Sequence, residues 1–450
     1  MSPHHPSHRR VLLAAAPAVA LALTLTACGS SGAAKAGGAG AATTAGALDT
    51  PTTLTFWSWT PNLQPIVAKF EALHPKIKVN LVNAGNSAAE YTKLETAVKA
   101  GTGGPDIAQV EYFALPELAL SKDLVNLDDY NVQSLKDKYT ASAWSQVSTN
   151  GGVYGVPQDT GPLTMFYRTD IFKQLGLQPP KTWQDFADDA ARIHAADPTH
   201  YITSMDPGDA GGVDSLIWQA GGKPFRTDGT KVSVDLADPG AAKVSSLWTS
   251  LLAKKLVDPA PGWTNEWWQG MAAGKYAMWI TGAWAPGSIA ATIPQTSGKW
   301  AAAPVPQWTA GADVSSENGG SSDAVPVTSK NKAAAVAFAE WLNSDPVATR
   351  ALNDSGLFPA TTALLSDPAF LAKKVAVLGD QQANQVYAAS SAAVTPGWSY
   401  LPFQVYANSV FKDTAGQAIS AGTDLSAGLS AWQKRITEYG TQQGFTVSNG

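Results

Sequence analysis

The sequence predicts an α/β fold divided into two units, and three observations carry that expectation. Short apolar strands alternate with amphipathic helices from residue 54 onward. The chain beyond residue 50 exceeds what a single core organises, so it should divide. Cys28 is the only cysteine, so no internal disulfide can form and large apolar cores must hold the fold.

The first residues bear on compartment. Arg9 and Arg10 begin a charged start, residues 11–25 are mostly Ala, Leu and Val, and small residues lead to Cys28. That order describes a secretory signal peptide over 1–27. The apolar stretch is short and broken by Pro17, unlike a spanning helix. Leu25-Thr26-Ala27-Cys28 matches a bacterial lipobox, which makes Cys28 the lipidated mature N-terminus. Arg9-Arg10 also leaves export by the general or the twin-arginine route open. Residues 28–49 are nearly all Gly, Ala, Ser and Thr, a composition that buries little and reads as a flexible tether. The expected location is the outer face of the cell membrane, held by lipid.

Within the first unit, 54–57 is an apolar strand, and Ile66, Val67, Phe70 and Leu73 follow at helical spacing. His74-Pro75 closes that helix, because proline disfavours helix in the residue before it. Ile77, Val79 and Leu81 alternate as a second strand. Tyr91, Leu94 and Val98 face one side of a second helix, ended by the Gly-rich 101–105. A third strand covers 107–110 and a short helix 114–120. This alternation implies parallel βαβ units, whose ligands gather beyond the carboxyl ends of the strands. The loops 57–62, 84–90 and 111–113 therefore share one rim.

The second unit begins near Gly155. It contains a strand over 163–167, a helix over 183–194 opened by a Thr182/Asp185 capping box, and a helix after Asp238-Pro239 carrying Val244, Trp248 and Leu251. A strand is expected at 276–280, with helices at 332–342, 347–353 and 425–439.

Enzyme signatures are mostly absent. None of the Gly-Lys pairs at Gly222, Gly274 and Gly298 is followed by Ser or Thr, so no P-loop is present. No Gly-x-Ser-x-Gly elbow or dinucleotide fingerprint occurs. His74, His194 and His200 lack paired ligand spacing, so neither metal nor cofactor is expected. The net charge of −5 argues against nucleic acid, which calls for a basic stripe. Carboxylates in loops, namely Glu111, Asp159, Asp209, Glu266 and Glu317, leave glycoside hydrolysis open. That chemistry needs two of them at about 5–5.5 Å or about 6.5–9.5 Å across one bond. In a binding site the same groups accept hydrogen bonds from hydroxyls.

Sixteen tryptophans exceed ordinary usage. Trp183, Trp248, Trp341 and Trp432 sit on amphipathic helices and should be core. Trp57, Trp59, Tyr112, Trp218, Trp263, Trp267, Trp284 and Trp398 fall at strand ends or in Gly/Pro-bounded segments, where function concentrates. Such rings can cover the apolar face of a pyranose while Asp, Glu, Asn and Gln take its hydroxyls.

The chain resembles the family-1 extracellular solute-binding proteins of bacterial sugar importers, of the maltodextrin-binding type. The segments that carry this are LTFW at 54–57, GPDI at 104–107, YGVP at 154–157, FYRTD at 166–170, MAAGKYAM at 271–278, GAW at 282–284 and FP at 358–359. NGGSS at 318–322 and VTPGW at 394–398 resemble an actinobacterial carbohydrate-binding subgroup. The resemblance implies a two-lobe, periplasmic-binding-protein-like fold of type II with three interlobe crossovers and a ligand cleft between the lobes. Lobe one would be 50–158 with 308–356, and lobe two 162–303 with 360–450. It implies a monomeric, non-catalytic receptor that captures a mono- or oligosaccharide by hinge closure and delivers it to an ABC permease. The expected stacking residues are Trp57, Trp59, Tyr112, Trp284 and Trp398. The expected polar contacts are Asn86, Glu111, Gln158, Asp159 and Asn318, with Gly319 and Gly320 allowing close approach. Tyr167, Asp209, Trp218, Trp263 and Trp267 complete the expected site. A surface-attached glycoside hydrolase, and a binder of polyamine, phosphate ester or metal, stay open beside this expectation.

Overall fold

The computed structural model describes residue 44, residues 46–149 and residues 151–450. The signal peptide, the lipobox with Cys28 and most of the tether lie outside the described residues. The end of the expected tether does not stand free, because Ala47 and Leu48 pack against the first core.

Strand Thr52–Trp57 pairs in parallel with Ile77–Val82 on one side and Ile107–Glu111 on the other. Helices Gln64–Leu73 and Ala88–Ala100 make the crossovers. His74 ends the first as expected, its N–H reaching back to Phe70 O, and Gly101 ends the second in the left-handed conformation. Two later segments complete this sheet. Ser321–Ala324 pairs antiparallel with Ile107–Glu111, and Val156–Pro157 pairs with it in turn. The central strand Ile107–Glu111 is therefore buried on both faces, which explains why Ile107, Ala108 and Val110 are all apolar on successive sides of it. Helix Lys332–Ser344 covers one face, with Phe338 set edge-on to Phe56 and Phe70 at 5.7 and 4.9 Å.

The second unit is built differently. Strand Leu163–Arg168 pairs antiparallel with both Met278–Gly282 and Trp300–Pro304, so the parallel βαβ pattern of the first unit does not extend to this sheet. The strand expected at 276–280 starts two residues later, since Tyr276 bridges to Tyr201 instead. Around this sheet lie two apolar cores. One is formed mainly by helices Trp183–Ala196, Pro239–Ala253 and Leu425–Gln442, and the other includes Phe166, Trp300, Phe358 and Tyr387. The Thr182/Asp185 capping box is present in full. A small sheet of Phe225–Asp228, Lys231–Val234 and Thr446–Asn449 closes the chain onto this unit.

The architecture is the two-lobe, type II arrangement with a cleft between lobes. Buried residues of the first core run to Val156 and resume from Ala324 to Leu352, with Ala360 the last of them, while Phe358 already belongs to the second unit. Trp308 stays with the second core, tilted against Trp183 at 5.6 Å, and Gln307 bridges to Thr182. Trp183, Trp248 and Trp432 are buried as their helical positions require, whereas Trp341 is half-buried against the first core. Among the described residues, no helix is long and apolar enough to cross a membrane.

Phe338 is fully buried between two aromatic rings, so Phe338→Ala is expected to cost about 3–5 kcal/mol. Urea unfolding would show this as a lower midpoint at unchanged slope.

Candidate functional site

A cavity of about 750 Å³ opens between the first sheet and the second unit. The first strand delivers its first wall. Past Trp57 the chain turns, and Ser58 Oγ and Thr60 Oγ1 donate to Gln109 Oε1 at 2.6 and 3.0 Å. This tie fixes Trp59 at the cavity edge, edge-on to Tyr91 at 6.5 Å. Tyr91 in turn donates to Glu111 Oε2 at 3.0 Å and accepts the Glu111 N–H at 2.9 Å. Glu111 and Asn86 both line the cavity, and burial raises the Glu111 carboxyl. Gln109, which the sequence did not single out, is the hub of this wall. Its place on a buried strand one step before the rim was the available signal.

The chain passages form the floor. Asn318 N–H donates to Gly161 O at 2.7 Å and Thr160 N–H to Phe358 O at 3.0 Å, so three segments from distant parts of the chain lie side by side. Asp159 Oδ1 accepts the Ser321 N–H at 2.8 Å, and Glu317 Oε2 accepts the Gly161 N–H at 3.0 Å. Burial, opposed by the Ser321 bond and reinforced by Glu111, Asp323 and Glu317, pushes Asp159 up to about 8. Backbones approach closely here. A Cβ on Gly161 would stand 2.0 Å from Asn318 O, and one on Gly320, at φ +102°, would stand 2.6 Å from the Tyr112 ring. Asn318, Gly319 and Gly320 all line the cavity.

The opposite wall is aromatic. Trp263 and Trp284 lie nearly parallel, 5.7 Å apart, and Trp279 stands edge-on to both. Trp267 and Trp268 back this group, and Trp267 Nε1 donates to Ser204 Oγ at 2.8 Å. Trp263 remains 56 % exposed in a left-handed turn, as a ring held out toward a ligand would be. Trp284 Nε1 donates to Asn318 O at 2.8 Å, which joins the aromatic wall to the floor. Trp267 and Trp268 lie on helix Asn265–Ala273 rather than in a loop, and both are buried. Trp279 was not foreseen. It sits beside core residue Met278 on the same strand, so alternation turns it to the other face. Asp209 caps helix Ala210–Gln219 through Gly212 N–H at 2.7 Å and lines the cavity, as does Asp206. Burial, against the Gly212 bond and with Asp206 nearby, pushes Asp209 up to about 6.

Six expected site residues lie outside the cavity lining. Trp57 packs on the first core, one residue short of the turn. Tyr112 is buried and donates to Asp159 O at 2.8 Å, and Gln158 is buried against Asp323. Tyr167 packs on Phe172 at 5.0 Å. Trp218, on helix Ala210–Gln219 rather than in a loop, stacks on Trp398 at 4.1 Å, and Tyr400 stands edge-on to both. Tyr112 and Gln158 support the floor from behind. Trp218 and Trp398 consume each other's faces.

A family model described as "Bacterial extracellular solute-binding protein" matches residues 57–349. The chain belongs to this family. A lactose-binding protein of Rhizobium radiobacter is 28 % identical over 304 residues, covering 63 % of this chain and 69 % of the relative. An arabinooligosaccharide-binding protein of Bacillus subtilis (strain 168) is 27 % identical over 293 residues, covering 62 % and 66 %. Among solved structures, an ABC transporter associated binding protein from B. animalis subsp. lactis Bl-04, in complex with β-1,6-galactobiose, is 39 % identical. Its TM-score is 0.81, with 88 % of this chain and 99 % of that chain covered. The galacto-N-biose-/lacto-N-biose I-binding protein from Bifidobacterium longum is 27 % identical, with a TM-score of 0.78 and coverage of 88 % and 99 %. The family is one of binding proteins for transport rather than enzymes.

Buried carboxyls give this member a pH signature. Burial pushes Glu90, whose two carboxyl oxygens find no partner, up to about 8, and Glu317 and Asp323 up to about 7. With Asp159, these groups hold protons in the folded chain at pH values where the unfolded chain has released them, at about 4. Their stabilising contribution is complete below the unfolded value and is lost as pH rises through the folded ones. The melting temperature without ligand is therefore expected to fall between pH 5 and pH 8.5, and Glu90→Gln to flatten that fall.

Proposed function

We propose that this protein is the extracellular receptor of an ABC importer, capturing a carbohydrate in the cavity and delivering it to a membrane permease without transforming it. One observation carries the reading. A packed tryptophan wall fronted by the exposed Trp263 faces a wall of amide, hydroxyl and carboxyl groups across a single cavity. A pyranose has both faces that such a cavity wants, apolar C–H surfaces for the rings and hydroxyls for the polar wall. The volume suits a small oligosaccharide, within the range of about 300–1,000 Å³ usual for ligand sites. The 39 % identical structure holds a disaccharide, which supports the same class.

The mechanism follows from the two walls standing on different cores. A ligand that touches Trp59 and Glu111 on one side and Trp263 and Trp284 on the other binds the closed arrangement better than an open one. Its differential affinity shifts the population toward closure. Asp159 and Glu317 contribute by fixing the floor through backbone N–H groups, a role needing no proton transfer. The closed form would then present matched lobe surfaces to the permease. The protein acts as a monomer anchored through lipid on Cys28.

Thermal shift against neutral mono- and oligosaccharides tests the capture. The bound sugar is expected to add about 2.7 kcal/mol of stability at a hundredfold excess over Kd. Trp263→Ala should weaken that sugar at least about tenfold, in keeping with aromatic anchors at binding sites, while the unliganded melting temperature barely moves. Silence across the panel, or new reducing ends accumulating at catalytic turnover, would sink the reading. For the anchor, Cys28→Ser is expected to move the protein from the membrane fraction to the medium, and retention on the membrane would refute it.

A further inference from the structure

The charges around the cavity are one-sided. Asp206, Asp209, Glu111 and Asp159 line it, the last two raised by burial toward the uncharged acid, whereas no Lys, Arg or His does so among the described residues. Two of these carboxylates stand beside the aromatic wall. Gly262, immediately before Trp263, is so close to Asp206 that a Cβ there would lie 3.0 Å from Asp206 Oδ2. Asp206 also acts on Asp209 through space, which marks the two as neighbours. Neither has a cationic partner: Asp206 accepts Gly208 N–H and Asp209 accepts Gly212 N–H, both at 2.7 Å.

The backbone offers little in compensation. Helix N-termini ordinarily favour anions through their free N–H groups. Helix Ala210–Gln219 opens on the cavity, but the carboxylate of Asp209 already occupies its first turn. Helix Ala285–Thr292 also reaches the cavity, and Pro286 removes a donor from its first turn. An anionic ligand would thus leave water for a space beside the Asp206/Asp209 pair, which has no cationic partner, and like charges placed together there are costly.

We propose that the cavity selects carbohydrates without net negative charge and that Asp206 and Asp209 are the residues that turn anionic ones away. This deepens the carbohydrate reading above and rests on it. Neutral sugars lose nothing by the arrangement, because both carboxylates remain acceptors for hydroxyl donors. Sugars bearing a phosphate or a uronic carboxylate near the Trp263 platform meet the pair directly.

Calorimetry on the full-length mature protein at low ionic strength tests this with matched probes. These are β-1,6-galactobiose, lactose and other neutral di- and trisaccharides, each beside its 6′-phosphate and its uronic acid counterpart. Each neutral sugar that binds is expected to exceed its anionic counterparts by at least about a hundredfold, since like-charge juxtaposition costs several kcal/mol. Added salt should narrow the gap. The Asp206→Asn/Asp209→Asn double variant should narrow it by about tenfold for the same reason. Both turn bonds can be kept by asparagine, so the variant is expected to fold. An anionic sugar binding within about threefold of its neutral partner would overturn the selectivity while leaving carbohydrate capture standing. A gap that persists unchanged in the double variant would overturn the assignment to this pair. If neutral and anionic sugars were all silent, the carbohydrate reading itself would fall, and this inference with it.

Discussion

Three stretches of chain that are far apart in sequence must run side by side where the two halves of the molecule meet. Their backbone groups are buried there and need partners. They find them in one another and in two carboxyls, with Asp159 taking the Ser321 N–H and Glu317 the Gly161 N–H. Side chains are nearly excluded at this point, which is why Gly161, Gly319 and Gly320 stand where they do. The cost is carried by the carboxyls, whose burial holds them far above their ordinary ionisation range. Everything else in the site is hung from this floor. Trp284 is oriented by the Asn318 carbonyl, and Tyr112 is locked beneath Asp159.

The two walls differ in how they are made rigid. The polar wall is fixed by a hydrogen-bonded hub, with Gln109 gathering Ser58 and Thr60 so that Trp59 has little freedom. The aromatic wall is fixed by packing, each indole bearing on the edge of another. Both are held by contacts within the protein itself. Preorganisation of this kind reduces the ordering entropy that binding would otherwise have to offset.

Much of the fold was legible because strand and helix periods differ and because proline and glycine mark the ends. The first sheet's parallel strands, the Thr182/Asp185 capping box and the buried helical tryptophans follow from such local rules. The antiparallel second sheet was not legible. Strand Leu163–Arg168 takes neighbours more than a hundred residues away, and nothing local to it encodes that choice. The site divides similarly. Rim position placed Trp59, Asn86 and Glu111 at the cavity, and the glycine-rich 318–320 segment marked its floor. Sequence could not show that Trp218 and Trp398 would spend their faces on each other. Nor could it show that Tyr112 would be covered by Gly320, since each depends on contacts made only in the folded chain.

The five-tryptophan wall also has an optical consequence. Trp263, Trp267, Trp268, Trp279 and Trp284 lie within 4.7 to 5.9 Å of a neighbour, centre to centre. Indoles that close share excitation, so light absorbed by any of them is pooled among all and emitted from whichever has the lowest-energy excited state. The exposed Trp263 is the ring whose surroundings change when water is displaced. The molecule thus carries its own reporter, in which one covered ring alters the emission and circular dichroism of the whole group.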